Sequence, residues 1–317
     1  MSDPSLSGIL TGSLHAALKP WIGGTPEIQP LPGGLTNRNF RISGENGERF
    51  VLRMAGAETS VLGIRRAHEW VCLRQAFALG IGVEPLFRDE TQGIFLKRFA
   101  DAAPLDPASL AGNPELLANL ATLLRTLHDG PAIPGRFDVF EVIASYQESA
   151  VRRGHPFPAA FVDTAPQRAR LELFLRQDQP LVPCHNDLLA GNLLHDGTRL
   201  LLLDWEYAGM GDVRFDLANL ISNLELEGAD RACFLEACFG SPDKARTTQP
   251  GIDAMRIMSD LREAAWGFLQ AALHAASSTE QTQKPEDFDY AAYGHQFLER
   301  ALRREMPDTF LKHSDPA

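Results

Sequence analysis

The first hundred residues change from one pattern of apolar positions to another several times. Alternating apolar and polar residues predict three strands, NRNFRIS (37–43), ERFVLRM (48–54) and GIFLKRF (93–99). The turn residues GENG join the first two strands into a hairpin. Apolar residues at helical spacing predict helices over 5–20 and 61–79. The pattern therefore predicts a small, β-rich N-terminal lobe that spans residues 1–98.

Beyond residue 98, most apolar positions recur at helical spacing. The predicted helices cover 114–129, 136–153, 166–177, 215–226, 229–239, 252–275 and 288–305. They are interrupted by LVPCHNDLLAGNLLHDGTRLLLLDWEY, where apolar runs flank a turn at HDGT and predict two short strands. The polar segment 277–287 is expected to be a mobile loop, and its action as a lid stays open. We predict an α+β fold with two lobes, residues 1–98 and residues 99–317.

The length and charge of the chain restrict its possible functions. At 317 residues it exceeds the usual size of one domain, in agreement with two lobes. Its net charge of −11 argues against a general nucleic-acid binder, which needs a basic face, and is compatible with a cationic substrate. The chain has no apolar run near the roughly 20 residues that span a bilayer, and no secretory pattern at its N-terminus. We expect a soluble, cytoplasmic protein without membrane or nucleic-acid partners.

The loop CHNDLLAGN (184–192) and the strand after it contain the most informative polar residues. Asp187 can accept a proton, whereas Asn192 and Asp204 offer oxygen ligands that suit Mg²⁺. A hairpin can bring Asn192 and Asp204 together, with Asp187 close by. Phosphoryl transfer needs this combination of metal ligands and a separate carboxylate that orients the attacking hydroxyl. Turn chemistry explains each residue alone, but their joint spacing favours the catalytic interpretation.

The segments HNDLLAGNLL and LLLLDWEYAGMGDVRFDLAN resemble the choline/ethanolamine kinase and aminoglycoside phosphotransferase superfamily. The resemblance covers nearly the whole chain and implies a protein-kinase-like fold, with ATP and Mg²⁺ as cofactors. It implies that Asp187 is the catalytic base and that Asn192 and Asp204 hold the metal ion. Asp216 matches an aspartate that braces the catalytic loop, although a carboxylate at a helix N-terminus explains it too. His185 is assigned to the catalytic site as an organising residue rather than as an acid or base.

The segment PGGLTNRNFRI is a candidate nucleotide loop. Its paired glycines allow a tight turn that brings backbone N–H groups close to phosphates, although hairpin turns are the usual explanation of such a pair. In the family this motif covers the nucleotide. The resemblance thus assigns nucleotide binding to Gly33, Gly34, Leu35, Thr36 and Asn37.

Arg53 is a candidate cation for the nucleotide phosphates. It shares a strand face with Val51, and Glu69 in RRAHEW is its candidate partner. The use of arginine resembles the choline kinase branch, and its forked guanidinium can clamp a phosphate. The alternative is a surface arginine and a surface glutamate. Lys97 and Arg98 are expected to face solvent and to have no role.

The acceptor is expected to bind to the C-terminal part. A shared face of the helix predicted at 252–275 carries Asp260, Glu263, Trp266 and Gln270. Acidic and aromatic side chains suit a quaternary ammonium group, because a tryptophan ring attracts a cation. The choline kinase patterns W-G-x-x-Q, F-D-Y-x-x-Y and D-[FW]-E-Y support Tyr290 and Tyr293 as walls and add Glu206 near the amine. A core tryptophan is the alternative for Trp266.

The leading hypothesis is an ATP- and Mg²⁺-dependent kinase for an amino alcohol, choline or ethanolamine first. A kinase for aminoglycosides, thiamine or sugars is the alternative within the superfamily. A nucleotide-binding module without transfer activity is the alternative from another class. A hydrolase that uses His185 and Asp187 is disfavoured, because the chain lacks a nucleophile motif such as G-x-S-x-G.

Overall fold

The computed structural model describes residues 9–10, 12–32, 37–56, 59–176, 179–276 and 288–305. Its N-terminal strands are β1 (Glu27–Leu31), β2 (Asn37–Ser43), β3 (Arg49–Ala55), β4 (Pro85–Asp89) and β5 (Ile94–Arg98). They form one antiparallel sheet in the order β1-β2-β3-β5-β4. The predicted hairpin of β2 and β3 and the predicted strand β5 are confirmed. The pattern does not predict β1 and β4, which are edge strands that contain Pro30 and Pro85.

The two faces of this sheet meet different surroundings. Leu52 of β3 and Leu96 of β5 pack with helix α1 (Gly12–Ile22) in a small hydrophobic core. Side chains alternate along a strand, so Arg53 and Lys97 stand on the opposite face, where they line a cleft. The apolar face thus fixes the sheet on α1 and directs two cations into the cleft.

Helix α2 (Arg66–Ala78) connects the sheet to the helical part. The predicted helix over 61–79 consists of a 3₁₀ turn at Thr59–Leu62 followed by α2. Gly63 separates them with φ of +80°, a conformation that glycine adopts without strain. Leu73 of α2 is buried in the main core of the molecule, so α2 is anchored by that core.

The described residues beyond 98 are mainly helical. The helices are α3 (Pro114–His128), α4 (Val139–Arg152), α5 (Ala159–Val162), α6 (Ala165–Leu175), α7 (Val213–Asn223), α8 (Gly228–Phe239), α9 (Pro242–Ala276) and α10 (Tyr290–Arg303). The predicted helices are confirmed, but α9 begins at Pro242 rather than at residue 252 and continues through Pro250. Together these helices enclose the main hydrophobic core. A sheet followed by a helical part makes the predicted α+β fold.

Two small β units position the chemistry between α6 and α7. Strands β6 (Ala103–Pro104), β8 (Leu193–His195) and β9 (Leu200–Leu202) form one unit, and β7 (Val182–Cys184) pairs with β10 (Gly209–Gly211) in the other. The predicted strands around HDGT are therefore confirmed as β8 and β9. They bring the loop 185–192 and Asp204 to one edge of the cleft.

The five-stranded sheet ends at Arg98, and the lobe boundary at this residue stays a prediction. None of the helices in the described ranges has both the length and the apolar character to cross a bilayer.

Candidate active site

A buried aspartate at the start of α7 fixes the loop 185–192. The two carboxylate oxygens of Asp216 accept the backbone N–H groups of Asn186 at 2.7 Å and His185 at 2.8 Å. His128 Nε2 approaches the same carboxylate at 3.0 Å. Burial alone would raise the pKa of Asp216, but the hydrogen bond and charge of His128 lower it below its ordinary value. Asp216 thus makes the contacts that a brace of the catalytic loop needs.

His185 lies behind the cleft. Its ring is fully buried, packs against Trp205 at 4.9 Å and directs Nε2 to the carbonyl of Leu203 at 2.8 Å. Burial lowers the pKa of His185, so the neutral ring donates to that carbonyl. The ring does not line the cavity. This placement agrees with an organising residue and argues against an acid or base.

Asp187 projects into the cleft beneath an arginine. Its Oδ1 accepts Arg262 Nη1 at 3.1 Å, and its Oδ2 accepts Asn192 Nδ2 at 3.3 Å. The residue is 9% exposed. Burial raises the pKa of Asp187 to about 7, while the charge of Arg262 opposes this shift. A carboxylate with a pKa near neutrality is suited to accept a proton.

The hairpin of β8 and β9 holds Asn192 beside Asp204. The N–H of Leu203 donates to the carbonyl of Asn192 at 2.8 Å, and the next residue, Asp204, has φ of +61°. Aspartate tolerates this left-handed conformation. Asn192 Nδ2 is engaged by Asp187, which leaves its side-chain oxygen as a ligand. Because Asn192 and Asp204 both line the cavity, this pair of hard oxygen donors fits Mg²⁺.

Arg53 reaches across the cleft from β3. It forms an ion pair with Glu69 of α2 and another with Asp204 at 3.2 Å. Its guanidinium also lies over the Phe95 ring at 4.7 Å. Arg53 and Glu69 are 2% and 1% exposed, so the surface alternative for this pair is wrong. The structure thus places Arg53 against its predicted partner and beside a predicted metal ligand.

Sequence reasoning missed Arg66, which lies one helical turn before Glu69. Its Nη1 approaches Glu69 at 2.7 Å and Glu206 at 3.0 Å, and its Nη2 donates to Asn37 at 2.9 Å. Asn37 Nδ2 in turn donates to Glu206 at 3.0 Å. The RRAHE spacing contained this signal, since charges three residues apart meet on a helix.

Glu206 lines the cavity as a buried carboxylate. Burial raises its pKa to about 7, and the charges of Asp204 and Glu69 add to this effect. Its contacts with Arg66 and Asn37 use Oε2. Through these contacts Glu206 links β2 and α2 to the segment after Asp204. Its position near the acceptor stays a prediction.

The expectation that Lys97 faces solvent is wrong. Lys97 is 7% exposed and lines the cavity, because β5 is an interior strand whose second face borders the cleft. Arg98 also borders the cavity, but its side chain is 41% exposed and forms ion pairs with Glu84 and Glu48. In the sequence, the position of Lys97 directly after the apolar residues IFL could have indicated that it is buried.

One cavity of ≈ 400 Å³ is lined by Asp187, Asn192 and Asp204 and also by part of the predicted acceptor set. At the predicted acceptor end it is lined by Glu263 and Trp266 of α9 and by Tyr293 of α10. Glu263 accepts Arg262 Nη1 at 2.6 Å and the hydroxyl of Tyr293 at 3.0 Å. The Trp266 and Tyr293 rings meet edge to face at 5.6 Å. This end of the cavity thus combines aromatic faces with a fixed carboxylate.

The rest of the predicted acidic and aromatic face does not reach the cavity. Asp260 is directed to α10, where it pairs with Arg300 at 2.6 Å and Arg304 at 2.5 Å. Gln270 is buried but does not line the cavity. Tyr290 packs edge to face on Trp266 at 5.7 Å, behind the wall. Helical spacing spreads these residues over a wide arc, and only part of that arc faces the cleft.

Two glycines allow α9 and α10 to approach closely. A Cβ added to Gly267 would lie 2.8 Å from the backbone nitrogen of Gly294 and from the carbonyl of Tyr290. A Cβ on Gly294 would lie 2.7 Å from the Phe268 ring. This contact sets Tyr293 against the α9 residues of the cavity.

The proposed nucleotide loop cannot be placed in this geometry. Gly33, Gly34, Leu35 and Thr36 lie outside the described residues, as does the segment 277–287. Asn37 begins β2 and lines the cavity.

Comparison with known proteins identifies the family of the chain. The family model described as "Phosphotransferase enzyme family" matches residues 27–246. The chain belongs to this family. The predicted superfamily and the predicted class of enzyme, a phosphotransferase, are therefore confirmed.

Relatives of this phosphotransferase include Protein LicA and a thiamine kinase. Protein LicA of Haemophilus influenzae is 28% identical over 224 residues, which cover 68% of this chain and 64% of LicA. The match therefore spans slightly less than two thirds of that relative. Thiamine kinase of Escherichia coli is 31% identical over 160 residues, which cover 43% of this chain and 55% of the kinase.

A solved structure of a related protein supports the fold over nearly the whole length of this chain. A choline/ethanolamine kinase family protein from Mesorhizobium loti superposes with a TM-score of 0.75 and 28% identity. The superposition covers 96% of this chain and 98% of that protein. The predicted two-lobed, kinase-like fold is therefore confirmed.

Proposed function

We propose that this phosphotransferase is an ATP- and Mg²⁺-dependent kinase for the hydroxyl of an amino alcohol such as choline or ethanolamine. One observation carries the proposal. A single cavity is lined by Asp187, Asn192 and Asp204 and also by the acidic and aromatic wall of Glu263 and Trp266. A hydroxyl next to an ammonium group can therefore meet the base while its cation rests on that wall.

The mechanism is direct in-line transfer. The acceptor oxygen attacks the γ-phosphorus of ATP, the bond to the leaving β-phosphate oxygen breaks, and Asp187 takes the hydroxyl proton. Arg53, held by Glu69, binds phosphate oxygens in its forked geometry. When bound, Mg²⁺ at Asn192 and Asp204 would neutralise charge on the phosphates. Residues 1–98 would hold the nucleotide, with the loop from Gly33 to Asn37 over its phosphates, and residues 99–317 would hold the acceptor.

The acceptor wall suits an ammonium cation, above all a quaternary one that needs no hydrogen bonds. Trp266 and Tyr293 offer aromatic surface, and a cation–π contact contributes about 0.5–2 kcal/mol. Glu263 supplies a negative charge that Arg262 and Tyr293 hold in place. Of the residues predicted to bind the acceptor, Glu206 and Glu263 reach the cavity with Trp266, whereas Tyr290 supports Trp266 from behind.

Thiamine is the second candidate acceptor. It combines a cationic ring with a primary hydroxyl, and the similarity to thiamine kinase of Escherichia coli supports it. It would use the same base and the same cationic wall.

The test is ADP formation with Mg²⁺–ATP and a panel of choline, ethanolamine, thiamine, kanamycin and simple sugars. Asp187→Asn is expected to lower kcat by about 10²–10⁴-fold, because the general base is lost. Asp243→Asn, an exposed aspartate on α9, is the matched control and should retain activity.

The acceptors that turn over decide between the candidates. Turnover with choline or ethanolamine, lost in Asp187→Asn, supports the amino alcohol proposal. Turnover with thiamine alone supports the second candidate, and turnover with kanamycin or sugars alone contradicts both. Nucleotide binding without transfer to any acceptor would indicate a binding module.

A further inference from the structure

The cations around the cavity differ in their partners. Four cationic side chains line it within the described ranges: Arg53, Lys97, Arg98 and Arg262. Every one of these arginines has a carboxylate partner: Arg53 has Glu69 and Asp204, Arg98 has Glu84 and Glu48, and Arg262 has Asp187 and Glu263. Lys97 makes neither an ion pair nor a side-chain hydrogen bond with any residue that the structure describes. Its charge is therefore available to a ligand in the cavity.

Burial makes this isolated charge costly. Lys97 is 7% exposed, and both burial and the charge of Arg53 lower its pKa. A buried cation without a partner destabilises a fold unless a ligand or counter-charge compensates it. The charges of Asp204, Glu69 and Glu206 oppose this lowering of the pKa. Each of these carboxylates is already paired with an arginine, either Arg53 or Arg66. An anionic ligand in the cavity would compensate Lys97 by direct contact.

The position of Lys97 on the sheet indicates which ligand this is. Lys97 pairs with Val51 of β3, two residues from Arg53, so it lies about 7 Å farther along the sheet toward the end of β5. Arg53 contacts Asp204, one of the proposed metal ligands. A nucleotide whose terminal phosphates lie near Asp204 would direct its inner phosphate toward Lys97.

We propose that Lys97 binds a phosphate of the nucleotide and supplies an unpaired positive charge, in addition to that of Arg53, which Glu69 and Asp204 already compensate in part. This inference rests on the proposed function as a kinase. It adds a specific nucleotide-binding residue outside the loop at 33–37 and outside the Arg53–Glu69 pair.

Equilibrium binding of MgATP, AMP and adenosine, measured by calorimetry on the whole chain, tests this role. Lys97→Met removes the charge and keeps the length of the side chain. It should weaken the binding of MgATP and AMP by about 10- to 100-fold, the effect expected from the loss of one hydrogen bond to a charged group. Adenosine has no phosphate, so its affinity should stay unchanged. The control is Arg88→Met on β4, which removes one positive charge outside the cavity, where Arg88 pairs with Glu90.

The unfolding temperature without nucleotide separates this effect from misfolding. Lys97→Met should unfold at the same or a higher temperature, because it removes a buried, unpaired charge. Equal loss for adenosine and MgATP would overturn the proposal, since Lys97 would then act on the base or ribose. Unchanged MgATP affinity in Lys97→Met would overturn it as well. Failure of the unmodified protein to bind any nucleotide would instead refute the proposed kinase.

Discussion

Arg262 holds Asp187 and Glu263 with the same nitrogen, at 3.1 Å and 2.6 Å. Its guanidinium is 1% exposed and lies 4.4 Å from the centre of the Tyr207 ring. One buried cation thereby connects the proposed base to the acidic wall of the acceptor end. The pKa of Asp187 and the placement of Glu263 therefore both depend on Arg262.

Arg262→Met should shift the pH dependence of the reaction. Burial raises the pKa of Asp187 to about 7, although the positive charge of Arg262 opposes this shift. Loss of Arg262 should therefore raise the pKa of Asp187 further. The base acts when ionised, and activity should therefore rise with pH through about 7 in the unmodified enzyme and at higher pH in the variant. The measurement is the pH profile of kcat/KM for the acceptor. Arg262→Lys keeps the positive charge, so its rise in kcat/KM should occur at a pH nearer that of the unmodified enzyme. If folded Arg262→Met shows the rise at the same pH as the unmodified enzyme, this account is contradicted.

Trp266→Leu should weaken binding of quaternary acceptors. Loss of a cation–π contact of about 0.5–2 kcal/mol predicts a rise in the KM for choline of roughly 2- to 30-fold. The KM for ATP should not change, because Trp266 lies at the proposed acceptor end of the cavity. Initial rates at varied choline and varied ATP measure both values. A rise in the KM for ATP alone would show that the acceptor does not bind at Trp266.

The two tyrosines of α10 form a matched pair. Tyr293→Phe removes the hydrogen bond to Glu263 and should raise the acceptor KM. Tyr290→Phe retains the ring that packs on Trp266 and should leave that KM unchanged. Steady-state kinetics on both variants test whether Tyr293, rather than Tyr290, faces the acceptor. A larger rise in the acceptor KM for Tyr290→Phe than for Tyr293→Phe would show that it does not.

Gly267→Ala should disturb the acceptor wall through the crossing of α9 and α10. The added Cβ meets backbone atoms at 2.8 Å, and overpacking of this kind costs about 1–3 kcal/mol in the free energy of unfolding. Denaturant unfolding measures this loss, and the acceptor KM should rise with it. Gly12→Ala in α1, where an added Cβ meets no described atom within 4 Å, is the control and should be neutral or stabilising. Equal stability of the two variants would contradict the close crossing.

Asp204→Asn should change the Mg²⁺ requirement. The amide is a weaker ligand for a hard cation than the carboxylate, so half-maximal rate should need more free Mg²⁺, by about tenfold or more. The measurement is the rate at fixed ATP over a series of Mg²⁺ concentrations. A lower kcat with an unchanged Mg²⁺ requirement would remove Asp204 from the metal site.

The sequence by itself determined most of the elements and the polar residues of the proposed catalytic loop. Period-two and helical patterns predict the hairpin of β2 and β3, the strands around HDGT and the helices, because these patterns arise from neighbours along the chain. Asp187, Asn192 and Asp204 could be predicted together because one short hairpin and the loop before it carry them. Arg53 and Glu69 were predictable as a pair from the faces of one strand and one helix.

Only the tertiary structure decided which side chains share the cleft. Arg262 meets Asp187 from 75 positions away, and Arg66 meets Glu206 from 140. No local pattern encodes such contacts, since they depend on how helices pack against the sheet and the loops. Likewise, the burial of Lys97 follows from the interior place of β5 in the sheet, and the choice of Tyr293 over Tyr290 follows from the close crossing of α9 and α10. Helical and strand periods define the faces of an element, but packing against distant parts of the chain determines what each face contacts.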